Sequence, residues 1–254
     1  MGRARRRASE SGLYHVTCRG VGRQIIFEDD LDRQFFCDKL FEETGGLDIQ
    51  VLAWCLMDNH IHLLLEADPE PLATLMRHVL ATYAMRFNKR YNRVGHVFQG
   101  RYSSLPIENE RHLLSVVKYI HRNPCDLGGK HLQDYRWSSY REYLGETGRT
   151  NTAFVLDLFD SSIAEFVRFN EETDEAAAGS LGTEDGIGSL DRAFFAAADE
   201  LGEDLLRSVK TLPRAERDAC VGRLLDRGLS IRQIERLTGV SRGIVAKISK
   251  LRKS

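Results

Sequence analysis

The sequence predicts an α+β protein in which an antiparallel sheet carries helices on one face, followed by a small all-α domain towards the C-terminal end. Strand-like and helix-like stretches follow one another in the order β-α-β-β-α-β, with one more helix appended. Residues 205–254 instead show apolar side chains at helical spacing only. A chain of 254 residues, 42% hydrophobic and 29% charged, is long enough for one sizeable core and a smaller second domain.

The first strand and the first helix are predicted from local patterns. Residues 13–19 (LYHVTCR) alternate in polarity and are rich in β formers, and Gly20 then breaks the strand. Residues 30–44 place apolar side chains at helical spacing, with acidic residues in the first turn and Gly45 after the last one. We therefore expect a strand, a turn and a helix in this order.

A hairpin and a long helix are predicted next. Two apolar runs, 47–57 and 59–67, flank the pair Asp58-Asn59, and an Asx pair between apolar runs favours a tight turn. The helix covers roughly residues 71–91, where apolar side chains again follow helical spacing.

The sheet is completed by a fourth strand in the second half of 95–108. The appended helix covers 108–123 and ends before Pro124, since the residue before a proline disfavours the helical conformation. Residues 124–148 are predicted to be irregular, apart from a short helix within 138–144.

The charge distribution divides the chain. Residues 151–204 carry 2 basic and 14 acidic side chains, a net charge of −12, whereas residues 205–254 carry 13 and 4, a net charge of +9. Residues 173–188 are acidic and rich in small residues, which predicts a flexible linker between helices at 154–169 and 190–201. A basic domain behind an acidic spacer indicates a polyanion partner, although charge segregation for solubility is an alternative.

Three helices are predicted in the basic domain, at 214–227, 230–237 and 241–251. Ser230 suits the N-cap of the second helix, and Gly239 suits the turn that follows it. This arrangement is typical of a helix-turn-helix that binds DNA, while a helical cap that binds protein is the alternative. The side chains predicted to lie on or near the side that faces the DNA groove are Arg242, Lys247, Lys250, Arg252 and Lys253.

Composition points to the cytoplasm. No apolar run approaches the roughly 20 residues that span a bilayer, so no membrane partner is expected. The basic start lacks the apolar stretch of a secretory signal. The five cysteines are odd in number and form no CxxC pair, which is typical of reduced thiols.

The hairpin contains the motif with the most chemistry, His60-Ile61-His62. Alternate side chains of a strand share a face, so His60 and His62 point the same way and Ile61 points the opposite way. Two imidazoles about 7 Å apart along a strand can converge on one divalent cation. The alternative is that His60 caps the turn and His62 packs beneath the sheet.

A second pair lies on the appended helix. Tyr119 and Asn123 are four residues apart and therefore share a helix face, although a buried tyrosine bonded to an asparagine is the usual explanation of such a pair. Joined to the histidines, the pair suggests a reaction. A divalent ion can polarise a phosphate and orient an in-line attack by a tyrosine hydroxyl. Two histidines and an amide oxygen tolerate Mg²⁺ or Mn²⁺ and would also accept Zn²⁺.

Several motifs occur in an order that resembles the single-tyrosine HUH transposases, with the REP-associated tyrosine transposases most similar. They are YHVTCRG, HIH followed by LLLE, GHVFQGRY, YIHRNP and WSSYREYLG. The resemblance covers about residues 13–144. It implies a ferredoxin-like fold that nicks single-stranded DNA, forms a covalent 5′-phosphotyrosine and leaves a 3′ hydroxyl, so that strands can be rejoined without ATP.

The resemblance also implies roles by position. His60 and His62 would be metal ligands, Tyr119 would be the nucleophile, and Asn123 would be a third ligand or would orient the phosphate. One departure is Asp58, which stands where the family often has proline. A second departure is the basic helix-turn-helix, which lies outside the family core.

Further DNA contacts are expected from basic side chains in the sheet domain. Arg101 is the one we favour for a phosphate, and Arg19 ends the first strand. The long helix adds three more near its C-terminal end, where phosphates suit basic groups: Arg86, Lys89 and Arg90.

The expected organisation is a transposase domain at 1–148, a partly helical acidic linker at 149–204 and a DNA-binding domain at 205–254. The expected function is metal-dependent transfer of single-stranded, hairpin-bearing or palindromic DNA by a cytoplasmic, nucleoid-associated enzyme. A domesticated regulator that binds DNA without cleaving it is the main alternative, and a plasmid-type relaxase or replication initiator is another. The sequence leaves open whether the protein is a monomer or a homodimer.

Overall fold

A computed structural model describes residues 8–124, 131–171 and 203–252, together with residues 197, 200 and 201. The chain divides into two compact units, with the division between Gly179 and Ser180. The linker predicted at 173–188 and most of the helix predicted at 190–201 lie outside the described residues, as does Cys125.

The first unit is built on a four-stranded sheet whose neighbouring strands are all antiparallel. Its order is β2-β3-β1-β4. The elements follow the chain as predicted: β1 Leu13–Arg19, α1 Asp30–Thr44, β2 Gln50–Met57, β3 His60–Glu66, α2 Pro69–Arg90, β4 Ser103–Ile107 and α3 Glu110–Arg122. The predicted α+β class is therefore confirmed.

The hairpin β2–β3 turns at Asp58 and Asn59, as predicted. β1 pairs with β3 in a register that sets Arg19 opposite His60. Asp58 forms hydrogen bonds and an ion pair in this turn. Its carbonyl oxygen accepts hydrogen bonds from the amides of Ile26 at 2.8 Å and of Phe27 at 3.1 Å, and its carboxylate pairs with Arg33. These bonds tie the turn to the segment that follows β1.

α1 and α2 cover one face of the sheet and form the main core with it. From β3, the side chains of Ile61, Leu63 and Leu65 point into this core, and all three are buried. The opposite side chains of the same strand point away from it, because successive side chains of a strand alternate.

α3 differs from the expectation that the helices share one face. It contacts β2 and β3, and the ring of Tyr119 lies 5.2 Å from that of His62, which points away from the main core. α3 therefore covers the second face, with an apolar stripe of Leu113, Val116, Val117 and Ile120, all buried. The expectation holds for α1 and α2. The side taken by α3 depends on packing across the sheet, which no local pattern encodes.

Three short α-helices follow α3 in the described part of the first unit. They are α4 Tyr140–Tyr143, α5 Ala153–Leu156 and α6 Ile163–Glu171. Phe166 of α6 is fully buried and stacks on Tyr143 with 4.5 Å between ring centroids. α4 and α6 thus pack together as part of the first unit.

The second unit is helical in its described part: α7 Glu203–Ser208, α8 Arg214–Asp226, α9 Ile231–Thr238 and α10 Arg242–Leu251. Ser230 forms a capping box with Gln233 at the start of α9, and Gly239 ends that helix in the left-handed conformation, with φ of 68°. Val221, Ile234 and Val245 meet in the core of this unit, one from each of α8, α9 and α10.

Two further findings concern the described residues alone. None of their helices is both long enough and apolar enough to cross a bilayer. The four cysteines among them, Cys18, Cys37, Cys55 and Cys220, are buried and form no disulfide.

Gly20 gives a testable consequence of the tight packing behind the hairpin turn. A Cβ there would overlap the carbonyl oxygen of Gln24 and lie 2.8 Å from Cγ2 of Ile26, which is fully buried. We expect Gly20→Ala to lower the free energy of unfolding by about 1–3 kcal/mol, because overpacking forces neighbours to shift.

Tryptophan fluorescence during thermal unfolding measures this effect in the first unit alone, since both tryptophans, Trp54 and Trp137, lie there. The control is Gly45→Ala, whose Cβ would meet nothing closer than 3.8 Å. Equal melting temperatures for the two variants would contradict the expectation.

Candidate active site

His60 and His62 lie side by side at the start of β3. Their side chains share the face that points away from the main core, and their ring centroids are 4.9 Å apart. His62 is buried, with 4% of its surface exposed, whereas His60 is partly exposed. The strand therefore presents two imidazoles to the same space, as the sequence predicted.

α3 brings Tyr119 and Asn123 to these histidines. The helix begins at the N-cap Asn109, whose side chain accepts a hydrogen bond from the amide of His112 at 2.9 Å. It ends at Asn123, where the side-chain oxygen Oδ1 lies 3.1 Å from Nε2 of His60 and Nδ2 lies 3.4 Å from Nε2 of His62. Residues about sixty positions apart in sequence thus meet at one point.

The hydrogen bonds of Asn59 indicate which nitrogen of His60 is a donor and which is an acceptor. Asn59 donates through Nδ2 to the carbonyl of Arg23 at 3.3 Å, so its Oδ1 is the atom that meets Nδ1 of His60 at 2.7 Å. In a neutral His60 ring, Nδ1 would then carry the hydrogen and Nε2 the lone pair. That lone pair faces the Oδ1 of Asn123, which is also an acceptor. Two acceptors at 3.1 Å repel each other unless a cation or a proton lies between them.

The protonation state of His62 suits a metal ligand. Burial lowers the pKa of His62 well below its usual value, and electrostatic interactions with His60, His15 and Arg19 act in the same direction. A neutral imidazole is the form that binds a metal. His62 is therefore neutral throughout the physiological pH range.

The candidate donor atoms are Nε2 of His60, Nε2 of His62 and Oδ1 of Asn123, a mixed nitrogen and oxygen set of a kind that divalent cations accept. The Asn123 amide presents Oδ1 to His60 and Nδ2 to His62. Over the described ranges, no group of three or more His, Cys, Asp or Glu residues could hold a metal ion. The third candidate donor is an amide oxygen instead.

Residues beyond α3 hold the outer side of this helix. His121 is fully buried, and its Nε2 lies 3.0 Å from Oγ of Ser139. Burial lowers the pKa of His121 to about 3, so this histidine is neutral and structural. Next to it, Arg122 donates through Nη1 to the carbonyl oxygen of Asn170 at 2.9 Å and of Glu171 at 3.4 Å. α6 is thereby joined to the last turn of the helix that carries Tyr119.

Arg19 is a predicted DNA-binding residue that lies beside the histidines. It pairs with His60 in the sheet, and its charge contributes to the low pKa of His62. Arg101 is exposed in the loop before β4.

The three basic residues of α2 have different surroundings. Arg90 donates to Asp29 at 2.9 Å and to Asp32 at 2.6 Å, and Arg86 stacks over the ring of Phe35 at 4.3 Å. Lys89 is exposed. The structure therefore gives Arg86 and Arg90 intramolecular contacts that the sequence did not suggest.

Three of the predicted groove-facing residues of the second unit lie on α10. Arg252 follows this helix and pairs with Asp226, and Lys253 lies outside the described residues. Arg242, Lys247 and Lys250 are all exposed. The backbone amide of Arg242 also bonds the carboxylate of Glu235 at 3.2 Å, which joins the start of α10 to α9.

Sequence reasoning missed His15. It lies on β1, is fully buried, and its Nε2 is 3.0 Å from Nδ1 of His62. The signal was present in principle, because a histidine stood between apolar neighbours in a predicted strand, on the face opposite Tyr14 and Val16. Only the pairing of β1 with β3 shows what it contacts.

Comparison with known proteins identifies the class of the first unit. Residues 8–123 match the family model described as transposase IS200 like. This part of the chain is therefore similar to the IS200-like transposases, which supports the family inferred from the motifs. Among curated proteins, none matches the chain.

Two solved structures are similar to parts of the chain. One is a REP-associated tyrosine transposase bound to a REP hairpin, at 17% identity and a TM-score of 0.49, which covers 57% of this chain and 87% of that one. The other is a protein from Deinococcus radiodurans R1 assigned as a transposase, at 19% identity and a TM-score of 0.33, which covers 47% and 94%. Since both TM-scores are below 0.5, the family assignment depends on the sequence match.

Proposed function

We propose that the first unit nicks single-stranded DNA and transfers the strand through a covalent bond to Tyr119. His60, His62 and Asn123 would hold Mg²⁺ or Mn²⁺. The observation that carries this proposal is the convergence of two imidazole nitrogens on the side-chain amide of Asn123, beside the ring of Tyr119. A bound cation would also relieve the repulsion between the facing acceptors of His60 and Asn123.

The reaction is an exchange of one phosphodiester for another. The Tyr119 hydroxyl oxygen attacks the phosphorus and loses its proton, the bond from phosphorus to the 3′ oxygen breaks, and that oxygen takes up a proton to become a 3′ hydroxyl. When bound, the divalent ion would supply Lewis-acid polarisation of the phosphate oxygens. The 5′ phosphate remains joined to Tyr119, so the reverse attack by a 3′ hydroxyl rejoins the DNA without ATP.

Arg19 supports a phosphate near the histidines. Its position opposite His60 in the sheet places a permanent positive charge beside the reacting groups. The preference for hairpin-bearing DNA, such as repeated palindromes, is proposed from the family motifs. Contacts of Arg101, Lys89, Arg86 and Arg90 with DNA are proposed as well; for Arg86 and Arg90 they would compete with the intramolecular contacts described above.

A regulator that binds DNA without cleaving it is the second candidate. The exposed basic side chains of α10 would serve such a protein equally well. The intact set of His60, His62, Tyr119 and Asn123 favours the enzyme, because a non-cleaving protein has no need to keep ligands and nucleophile together.

The nucleophile is tested by Tyr119→Phe. This change removes one oxygen, so we expect the covalent DNA adduct to vanish while binding of single-stranded DNA stays within about twofold. Denaturing gels with end-labelled single strands measure the adduct, and mass spectrometry of the wild-type adduct identifies the modified peptide. The control is Tyr14→Phe, which lies in the core on the other side of the sheet. A phosphopeptide that contained a different tyrosine would contradict the assignment.

The metal site is tested by His60→Ala and His62→Ala. We expect each to weaken Mn²⁺ binding by more than about 100-fold, because even residues that only support ligands contribute 10–100-fold. Nicking that depends on Mg²⁺ should be lost as well, and Asn123→Ala should be milder, since water can replace an amide oxygen. Calorimetric titration with Mn²⁺ checks this, with the exposed His78 as the control position. Unchanged Mn²⁺ affinity in both histidine variants would show that the ligands lie elsewhere.

For the second unit we propose duplex DNA binding by a helix-turn-helix at 205–254. The supporting observations are the short turn between α9 and α10 and the exposed Arg242, Lys247 and Lys250 on the second of these helices. The acidic segment 149–204 would then include α5 and α6 of the first unit as well as the spacer between the two activities.

Deletion of residues 189–254 tests this division of labour. We expect nicking of a short single strand to persist, while DNA with duplex arms binds more weakly and with a shallower dependence on salt. Each lost phosphate contact reduces the logarithmic salt slope by about 0.9. Filter binding across a salt series measures the slope. Lys247→Ala should reproduce part of the change and Arg214→Ala, an exposed residue on α8, should not. Unaltered duplex affinity after deletion would rule out the DNA-binding role.

A further inference from the structure

His15 contacts a proposed metal ligand from the neighbouring strand. Its Nε2 lies 3.0 Å from Nδ1 of His62, and the two rings stack with centroids 5.2 Å apart and an angle of 29° between their planes. In the sheet, Thr17 is directly opposite His62, so His15 is a diagonal neighbour on the same face. The ring of Tyr119 is 6.0 Å from that of His15. His15 therefore lies next to both His62, the proposed ligand, and Tyr119, the proposed nucleophile.

The two nitrogens can share only one hydrogen, and its position decides what His62 can bind. If Nδ1 of His62 donates to His15, the Nε2 of His62 carries a lone pair on the side of Asn123. If His15 donates instead, a neutral His62 carries its hydrogen on Nε2, and that nitrogen cannot bind a metal. The direction of the hydrogen bond with His15 therefore determines which of the two neutral forms His62 adopts.

We propose that His15 is a positioning residue which accepts a hydrogen bond from Nδ1 of His62 and so keeps Nε2 of His62 available to the metal. This inference rests on the proposed function, because it assigns a purpose to a ligand of that site. Histidines that bind metals generally donate their other ring nitrogen to a supporting acceptor, which fixes both the hydrogen position and the ring orientation.

The surroundings explain why a histidine suits this position. The site of His15 is fully buried, and a carboxylate acceptor there would bury a charge at considerable cost. A histidine instead supplies an acceptor nitrogen at this buried position without a negative charge.

Three forms of the full chain test the inference. His15→Phe keeps a planar ring and removes the acceptor, whereas His15→Gln keeps an acceptor oxygen on a flexible side chain. We expect His15→Phe to weaken Mn²⁺ binding about 10–100-fold, as loss of a supporting acceptor does elsewhere, and His15→Gln to recover most of the affinity. Thermal unfolding followed by tryptophan fluorescence identifies any variant that fails to fold. If His15→Phe fails to fold, the Mn²⁺ affinities of His15→Gln and the wild type are compared instead.

A second readout reports the hydrogen directly. Nitrogen-15 NMR of the metal-free wild type distinguishes the two neutral forms of His62, whose signals are assigned by their loss in His62→Ala. We expect Nδ1–H in the wild type and in His15→Gln, and a mixture or the Nε2–H form in His15→Phe. A purely structural role of His15 would instead lower the melting temperature and leave the ratio of the two His62 signals unchanged.

The outcomes separate the two proposals. If the wild type binds no Mn²⁺, the proposed metal site fails, and the ligand-positioning role fails with it. If the wild type binds Mn²⁺ but His62 carries its hydrogen on Nε2, the positioning role alone is overturned. If His15→Phe folds and binds Mn²⁺ as tightly as the wild type, the positioning role is again overturned while the metal site stands.

Discussion

The alternation of side chains along β3 is the constraint on which both the core and the candidate site depend. Ile61, Leu63 and Leu65 fill the core beneath α1 and α2, while His60 and His62 point to the opposite face. A slip of one residue in the pairing of β3 would exchange the two sets and expose the apolar one to the site. The burial of three aliphatic side chains therefore determines where the two imidazoles point. The same strand register fixes both the core and the candidate site.

The parts of this arrangement that the sequence predicted are those with a local signal. The hairpin turn at Asp58 and Asn59, the shared face of His60 and His62, and the end of α3 at Asn123 each follow from neighbours within a few residues. The face covered by α3 had no such signal, because it depends on how a helix packs across a finished sheet. His15 escaped notice for a similar reason, since its contact joins residues 47 positions apart.

Basic residues show the same limit of prediction from local sequence patterns. A run of positive charges at the end of α2 suits a phosphate by local pattern alone. Arg90 instead has carboxylate partners in Asp29 and Asp32, about sixty positions earlier in the chain. Local patterns indicate that a residue can bind an anion, and tertiary structure decides which anion is nearest.

Arg122 has a consequence for the mechanics of the first unit. Its guanidinium holds the carbonyl oxygens of Asn170 and Glu171, and Asn123, the next residue along the chain, meets His60. Tension applied to the chain beyond residue 171 would therefore be transmitted through this guanidinium to the last turn of α3. That turn carries the amide of the candidate site, and Tyr119 lies one turn earlier. α3, the helix of Tyr119, is thus an element to which such a load would pass directly from α6.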